Sequence, residues 1–163
     1  MRSLIVSDAG PLIALSRIGR LSLLPDLLAT VAVPRIVVHE LRLDEPRAGV
    51  VPLAAAVREQ TWLCTMDSPD EPSIPGLDAG ESAAIRLARR LECTLLIDER
   101  RGRSIARQRG VPVIGIGRVL IAAKERGRLE SVAAALADLR GAGYRLSDRI
   151  CAQLLTIAGE RQP

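Results

Sequence analysis

Four carboxylates in this chain sit where a buried acid needs a reason: Asp8, Glu40, Glu81 and Asp98. Asp8 ends the apolar run Leu4-Ile5-Val6 and is followed at once by Gly10 and Pro11. Asp98 repeats the arrangement after Leu95-Leu96-Ile97. Each run reads as a buried strand with a helix behind it, so both acids fall at carboxyl ends of strands, where open α/β sheets place their ligands. Helix N-capping is the alternative reading for both, because Asp satisfies the free amides of a first turn. Capping copes less well with Glu40. On a helical wheel for 35–44, Glu40 falls in the apolar arc of Ile36, Val37, Leu41 and Leu43, with His39 and Arg42 on the other side. Glu81 falls likewise within the stripe Ala84, Ile85, Leu87, Ala88 and Leu91 of a helix at 79–91, while Ser82, Arg86, Arg89 and Arg90 face outward. Asp78 and Glu81 also have the spacing of a capping box. A carboxylate aimed inward is costly unless it is paired, hydrogen-bonded or metal-bound. Four gathered together repel and need a compensating cation. Hard oxygen ligands suit Mg²⁺ or Mn²⁺, and a cation held by acids at a sheet edge can activate water and clamp a phosphodiester.

The elements that must position these acids alternate. Strands are expected at 3–7, 31–33, 61–65, 94–97 and 111–114. Helices are expected at 11–17, 20–28, 35–44, 47–59, 79–91, 99–109, 116–127, 130–141 and 147–158. Pro69, Pro72, Pro75 and Gly76 mark 66–77 as a surface loop. Apolar strands alternating with amphipathic helices imply an α/β fold with a parallel sheet covered on both faces. The 163 residues fit a single domain, 1–163, with no repeat or linker.

Composition narrows the chemistry. The net charge is +4, from 23 basic and 19 acidic residues, which mildly favours a polyanionic partner. With one Trp, one Tyr and no Phe, a stacking platform for bases is close to excluded, leaving phosphates and shape to carry any nucleic-acid recognition. Arg100, Arg103 and Arg107 share one side of the helix after Asp98 and form a candidate phosphate-contacting rim, a solvated helix face being the plainer reading. Glu99 reads as a first-turn acid, and His39 as a surface residue turned away from Glu40. Cys64, Cys93 and Cys151 are scattered without CxxC spacing, which fits free thiols in a cytoplasmic protein, the latter two in the core; one histidine makes a zinc site improbable. Neither a signal peptide nor a membrane span is expected. Gly115 and Gly117 follow a strand without completing a dinucleotide-binding pattern.

Four segments, DAGPLIAL at 8–15, VPRIVVHEL at 33–41, LDAGESAAIRLA at 77–88 and LLIDERRGRSIA at 95–106, together with GYRLSD at 143–148, resemble a compact prokaryotic branch of the PIN-domain nucleases, the fold of VapC-type toxins. The resemblance covers nearly the whole chain. It implies a three-layer α/β fold, a central parallel sheet flanked by helices on both faces, and an acidic pocket at the strand ends. Asp8, Glu40, Glu81 and Asp98 would be its four acids, in that order, holding one or two Mg²⁺ or Mn²⁺ ions. The implied activity is endoribonuclease cleavage of single-stranded or structured RNA, leaving 5′-phosphate and 3′-hydroxyl ends. An antitoxin partner and a homodimer are implied as well. One departure stands out: many PIN domains carry Ser or Thr within two residues after the first acid, where this chain has Ala9 and Gly10, and Ser7 precedes the acid instead.

That departure motivates a rival reading, a PIN-fold module that binds RNA or protein with little or no catalysis. A phosphoacceptor receiver or aspartyl phosphatase also uses a strand-end Asp. It fares worse, because Asp8 has no paired acid at that strand end and a nucleophilic Asp needs no inward Glu40 or Glu81.

Overall fold

The computed structural model describes residues 3–161. Its elements run β1 (Leu4–Ser7), α1 (Ala9–Arg17), α2 (Leu23–Leu27), β2 (Thr30–Pro34), α3 (Arg35–Glu40), α4 (Val50–Glu59) and β3 (Leu63–Met66). They continue as α5 (Ala79–Arg90), β4 (Thr94–Leu96), α6 (Arg100–Gln108), β5 (Val113–Ile114), α7 (Ile116–Glu125), α8 (Val132–Gly141) and α9 (Asp148–Ile157). The strands form one parallel sheet in the order β3-β2-β1-β4-β5. The chain therefore builds outward from β1 in one direction, then returns to β1's other side to start β4. That reversal is a topological switch point, and it opens a crevice at the strand ends.

Alternation along the strands makes the layers. Ile5, Val31, Val33 and Leu96 face a large apolar cluster with Leu12 and Leu15 of α1, Leu53 of α4, and Ile116 and Leu120 of α7. Val6, Ala32, Leu95 and Ile97 point the other way, into a smaller cluster with Ala84, Ile85 and Leu87 of α5 and Ala106 of α6. Successive side chains of a strand point to opposite faces, so strands apolar at every position require helices on both sides. The expected three-layer α/β architecture is the one observed. Among the described residues no helix is long and apolar enough to cross a membrane.

Several expectations need correction. The helix expected over 35–44 ends at Glu40, because Arg42 takes a positive φ of 45° and breaks the ladder. With the helix cut short, Ile36 lies 39% exposed rather than in the buried arc, while Val37 and Leu41 are fully buried. The 47–59 helix starts only at Val50, after Gly49 at φ 81°. Ser82, expected to face outward, is completely buried and its hydroxyl accepts from the Ile74 amide at 3.0 Å. Arg86 is half-buried, donating to the Pro72 carbonyl at 2.8 Å. These bonds, with Arg90 donating to the Asp67 carbonyl, strap the proline-rich loop across α5. In the same loop Asp67 pairs with Arg35 at 3.0 Å, both side chains remaining exposed. Cys151 is buried as expected, whereas Cys93 is half-buried.

Candidate functional site

Asp8 and Asp98 lie on the two strands that flank the switch point. Register pairs Ser7 with Leu96, and the Asp8 amide donates to the Leu96 carbonyl at 3.0 Å, so Asp8 follows directly on its strand end and Asp98 two residues beyond the paired one. Asp8 occupies the N-cap position of α1, but its side chain makes no capping hydrogen bond. The capping reading therefore does not account for it. Burial dominates its electrostatics: its pKa is pushed up to about 7, eased in part by the Ala9 N–H and raised further by Glu40, Glu81 and Asp78.

Glu40 and Glu81 arrive from helices on either side of the same crevice. Glu40 ends α3, half-buried, and faces the start of α5. A Cβ at Gly80 would collide with both oxygens of the Glu40 carboxylate as it lies, so any other residue there would turn the carboxylate aside. Its carboxyl is raised first by burial and then by Asp78, while the Gly80 N–H favours the charged form. Glu81 is only 9% exposed. The capping box is real: the Glu81 amide donates to Asp78 Oδ1 at 2.7 Å, and Glu81 Oε2 accepts from the Asp78 amide at 3.1 Å. Burial raises the Glu81 carboxyl, the Asp78 N–H lowers it, and the Asp78 and Glu99 charges raise it again.

Asp98 is anchored differently. Glu99, not Asp98, caps α6, its carboxylate accepting from the Gly102 amide at 2.6 Å. Asp98 instead reaches the start of α7, accepting from the Ile116 amide at 3.0 Å and 3.3 Å on its two oxygens. Gly115 makes this possible, because a Cβ there would stand 2.5 Å from Asp98 Oδ1. Burial raises the Asp98 carboxyl, and Tyr144, Ile116 and Arg103 each act to lower it. The backbone thus aims helix N-termini at Glu40 and Asp98, where the positive end of the dipole favours a negative charge.

Asp8, Glu40 and Glu81 feel one another and Asp78 directly, whereas Asp98 answers to Ile116, Tyr144 and Arg103. Among the described residues no three of these groups stand close enough to share one cation as placed. The donor set still fits a hard divalent ion: it is oxygen only, half-buried to buried, and mutually repelling. None of the four acids forms an ion pair among the described residues.

Arg100, Arg103 and Arg107 do share a face, lining a cavity of about 730 Å³ that begins at Asp98 and also takes in Arg118 and Arg145. Arg103 is tied back to the Ile97 carbonyl at 2.9 Å, while Arg101 lies against Gly76, where its charge acts to lower the Glu81 carboxyl. His39 is exposed, as expected. Sequence reasoning saw Asp78 only as a cap and gave Gly80, Gly115 and Tyr144 no part in the site. The one available signal was glycine directly beside an acid or a strand end, as in Asp78-Ala-Gly-Glu81 and Val-Ile-Gly-Ile.

Residues 4–160 match the sequence profile of the PIN domain, which is nearly the entire chain. The chain belongs to the PIN-domain family. PIN domains are generally nuclease-associated and typically use divalent metals. No curated protein shows a significant sequence match. Among solved structures, the PIN domain here is similar to a PilT N-terminus domain protein from the hyperthermophilic archaeon Sulfolobus solfataricus P2, with a TM-score of 0.49 and 16% identity over 74% of this chain and 92% of that one. At that level the likeness adds nothing to the assignment, which rests on the profile match.

Proposed function

We propose that this PIN domain is a Mg²⁺- or Mn²⁺-dependent endoribonuclease, with Asp8, Glu40, Glu81 and Asp98 as the groups that hold the cation. The observation that carries the reading is a set of acids at the switch point that form no ion pair among the described residues, with Asp8 pushed up to about 7 by burial and by neighbouring acids. Such a set is an electrostatic debt that a divalent cation offsets. When bound, the cation supplies positive charge that activates water and steadies a phosphate in the hydrolysis of a phosphodiester. The chain's own residues do the rest. Gly80 and Ile116 amides orient Glu40 and Asp98, and the arginine-lined cavity beside Asp98 receives the substrate backbone. Arg100 and Arg107, exposed on that rim, contact phosphates, and their contribution falls with salt.

The test is cleavage of end-labelled single-stranded RNA in Mn²⁺, beside an EDTA control. We expect cutting that chelation abolishes and that Asp8→Asn or Asp98→Asn reduces by a factor of a hundred or more, with the fold intact by circular dichroism. Undiminished cleavage in either variant would refute the assignment. A second reading, a PIN-fold binding module without turnover, is favoured by the separation of the acids into two groups and by Ala9 and Gly10 after the first acid. RNA bound equally well with and without EDTA, and never cut, would put that reading first.

A further inference from the structure

The cavity beside Asp98 has a second character that phosphate contacts leave unused. Five arginines and a single carboxylate, Asp98, line it, and Arg100, Arg107 and Arg145 are exposed without an ion pair among the described residues. Much of the remaining lining is aliphatic, and α9 supplies three of those residues, Ile150, Leu154 and Ile157. They recur at i, i+4 and i+7, one face of a helix. A different face of α9, with Cys151 and Leu155, is already buried in the core. The second face has no such cover among the described residues: Ile150 is 46% exposed and Ile157 64%. Leu154 joins that face to α7, because a Cβ at Gly117 would stand 2.6 Å from both of its methyl groups. At the other end of the cavity, a Cβ at Gly115 would stand 2.5 Å from Asp98 Oδ1 and 2.8 Å from Arg103 Nη1. The cavity is therefore continuous with the acidic crevice.

These features constrain the occupant. A cationic lining calls for an anion, while an uncovered aliphatic face calls for something apolar that travels with it. A ribose-phosphate backbone alone meets only the first demand. An unpaired nucleotide meets both, since its base has a flat apolar face and its phosphates are charged. With no Phe in the chain, aliphatic surface and guanidinium planes are what can receive that base. At about 730 Å³ the cavity has the size of a small-molecule site, roughly 300–1,000 Å³, which suits a nucleotide or two and not a double helix. An acidic amphipathic peptide carries the same two characters. Continuity with Asp98 favours RNA, because a strand leaving the acids runs directly onto this surface.

We propose that this cavity is a base subsite: an unpaired nucleotide beside the scissile phosphate lays its base on the Ile150–Leu154–Ile157 face of α9, while Arg100, Arg107 and Arg145 take the flanking phosphates. The inference rests on the ribonuclease reading and deepens it. Fluorescence anisotropy in EDTA measures binding without cutting. The probes are a short single-stranded RNA and a strand of equal length that is abasic at every position, which keeps the phosphates and removes the bases. The parent is expected to bind the intact strand about tenfold more tightly, the order of one base-stacking contribution. Ile150→Ala/Ile157→Ala changes two exposed residues to a strong helix former and is expected to keep the parent's melting temperature. It should bind the two strands alike, with the salt dependence for the abasic strand unchanged because the phosphate contacts remain. Equal affinities in the parent would overturn the subsite, and so would a preference for bases that survives undiminished in the double variant. Cleavage of the intact strand in Mn²⁺ is read separately, so cutting with equal affinities removes the subsite and leaves the nuclease standing. A parent that neither binds nor cuts RNA removes both. If that parent instead binds an amphipathic peptide of glutamate and leucine, and the double variant does not, the face belongs to a protein partner and the proposal falls.

Discussion

At the scale of single residues, the site is under tension that the fold tolerates and a ligand can release. The Asp8 carboxyl, ordinarily at 3.8, is raised to about 7 in the folded chain, so the folded state keeps a proton that the unfolded state gives up. Its contribution is therefore favourable at low pH and is lost as pH rises through about 7. A displacement of this size corresponds to a burial penalty on the order of 4 kcal/mol. We expect Asp8→Asn to raise the metal-free melting temperature at pH 8, measured by differential scanning calorimetry, and to abolish stabilisation by Mn²⁺. The four acids stand out in the sequence because each conflicts with its apparent surroundings: two end apolar runs and two fall on apolar arcs of helical wheels, although the wheel for Glu40 extends past the residue where the helix ends. What holds them was not legible. Asp78, Tyr144 and the Ile116 amide come to the site through tertiary packing, and no local pattern records a meeting between residues 98 and 116 or 98 and 144.

At the scale of elements, a parallel sheet covered by helices on both faces followed from alternation; the strand order β3-β2-β1-β4-β5 did not, and boundaries followed less well. The wheel over 35–44 assumed a continuous helix, but Arg42 in the left-handed region ends it early and leaves Ile36 half-exposed. Glu40 reaches the cluster as the last residue of α3, not as the middle of a buried face. The seam between α3 and α5 is therefore one place where a single methyl group bears on the site. Alanine normally improves a helix over glycine by about 1 kcal/mol. At Gly80 it meets the Glu40 carboxylate instead. We expect Gly80→Ala to weaken Mn²⁺ binding at least tenfold in calorimetric titration while leaving the helical circular dichroism unchanged; unaltered affinity would show that Glu40 takes no part in holding the cation.

At the scale of the whole molecule, Glu160, just after α9, is clamped to α7 and to the start of α8. Glu160 accepts from Lys124 of α7 at 2.5 Å, from the Ser131 hydroxyl at 3.0 Å, and from the Val132 and Ala133 amides at 2.7 Å and 2.8 Å. Burial alone would raise its carboxyl, but these donors hold it down at about 2. Its stabilisation is accordingly present above 4.5 and lost as pH falls through about 2. We expect Glu160→Gln to lower the melting temperature by several degrees near neutrality, with the gap to the parent closing in thermal scans at pH 2. A gap that persists there would place the clamp elsewhere. The sheet order carries a further consequence for how the protein comes into being. The acids are drawn from residues 8, 40, 81 and 98, yet the amide that seats the last of them belongs to residue 116, and β5 must be in place beside β4 before α7 can offer it. A chain still emerging from the ribosome holds every acid well before it holds a site. Until residue 116 has been made and β5 has paired with β4, Asp98 has no amide to seat it.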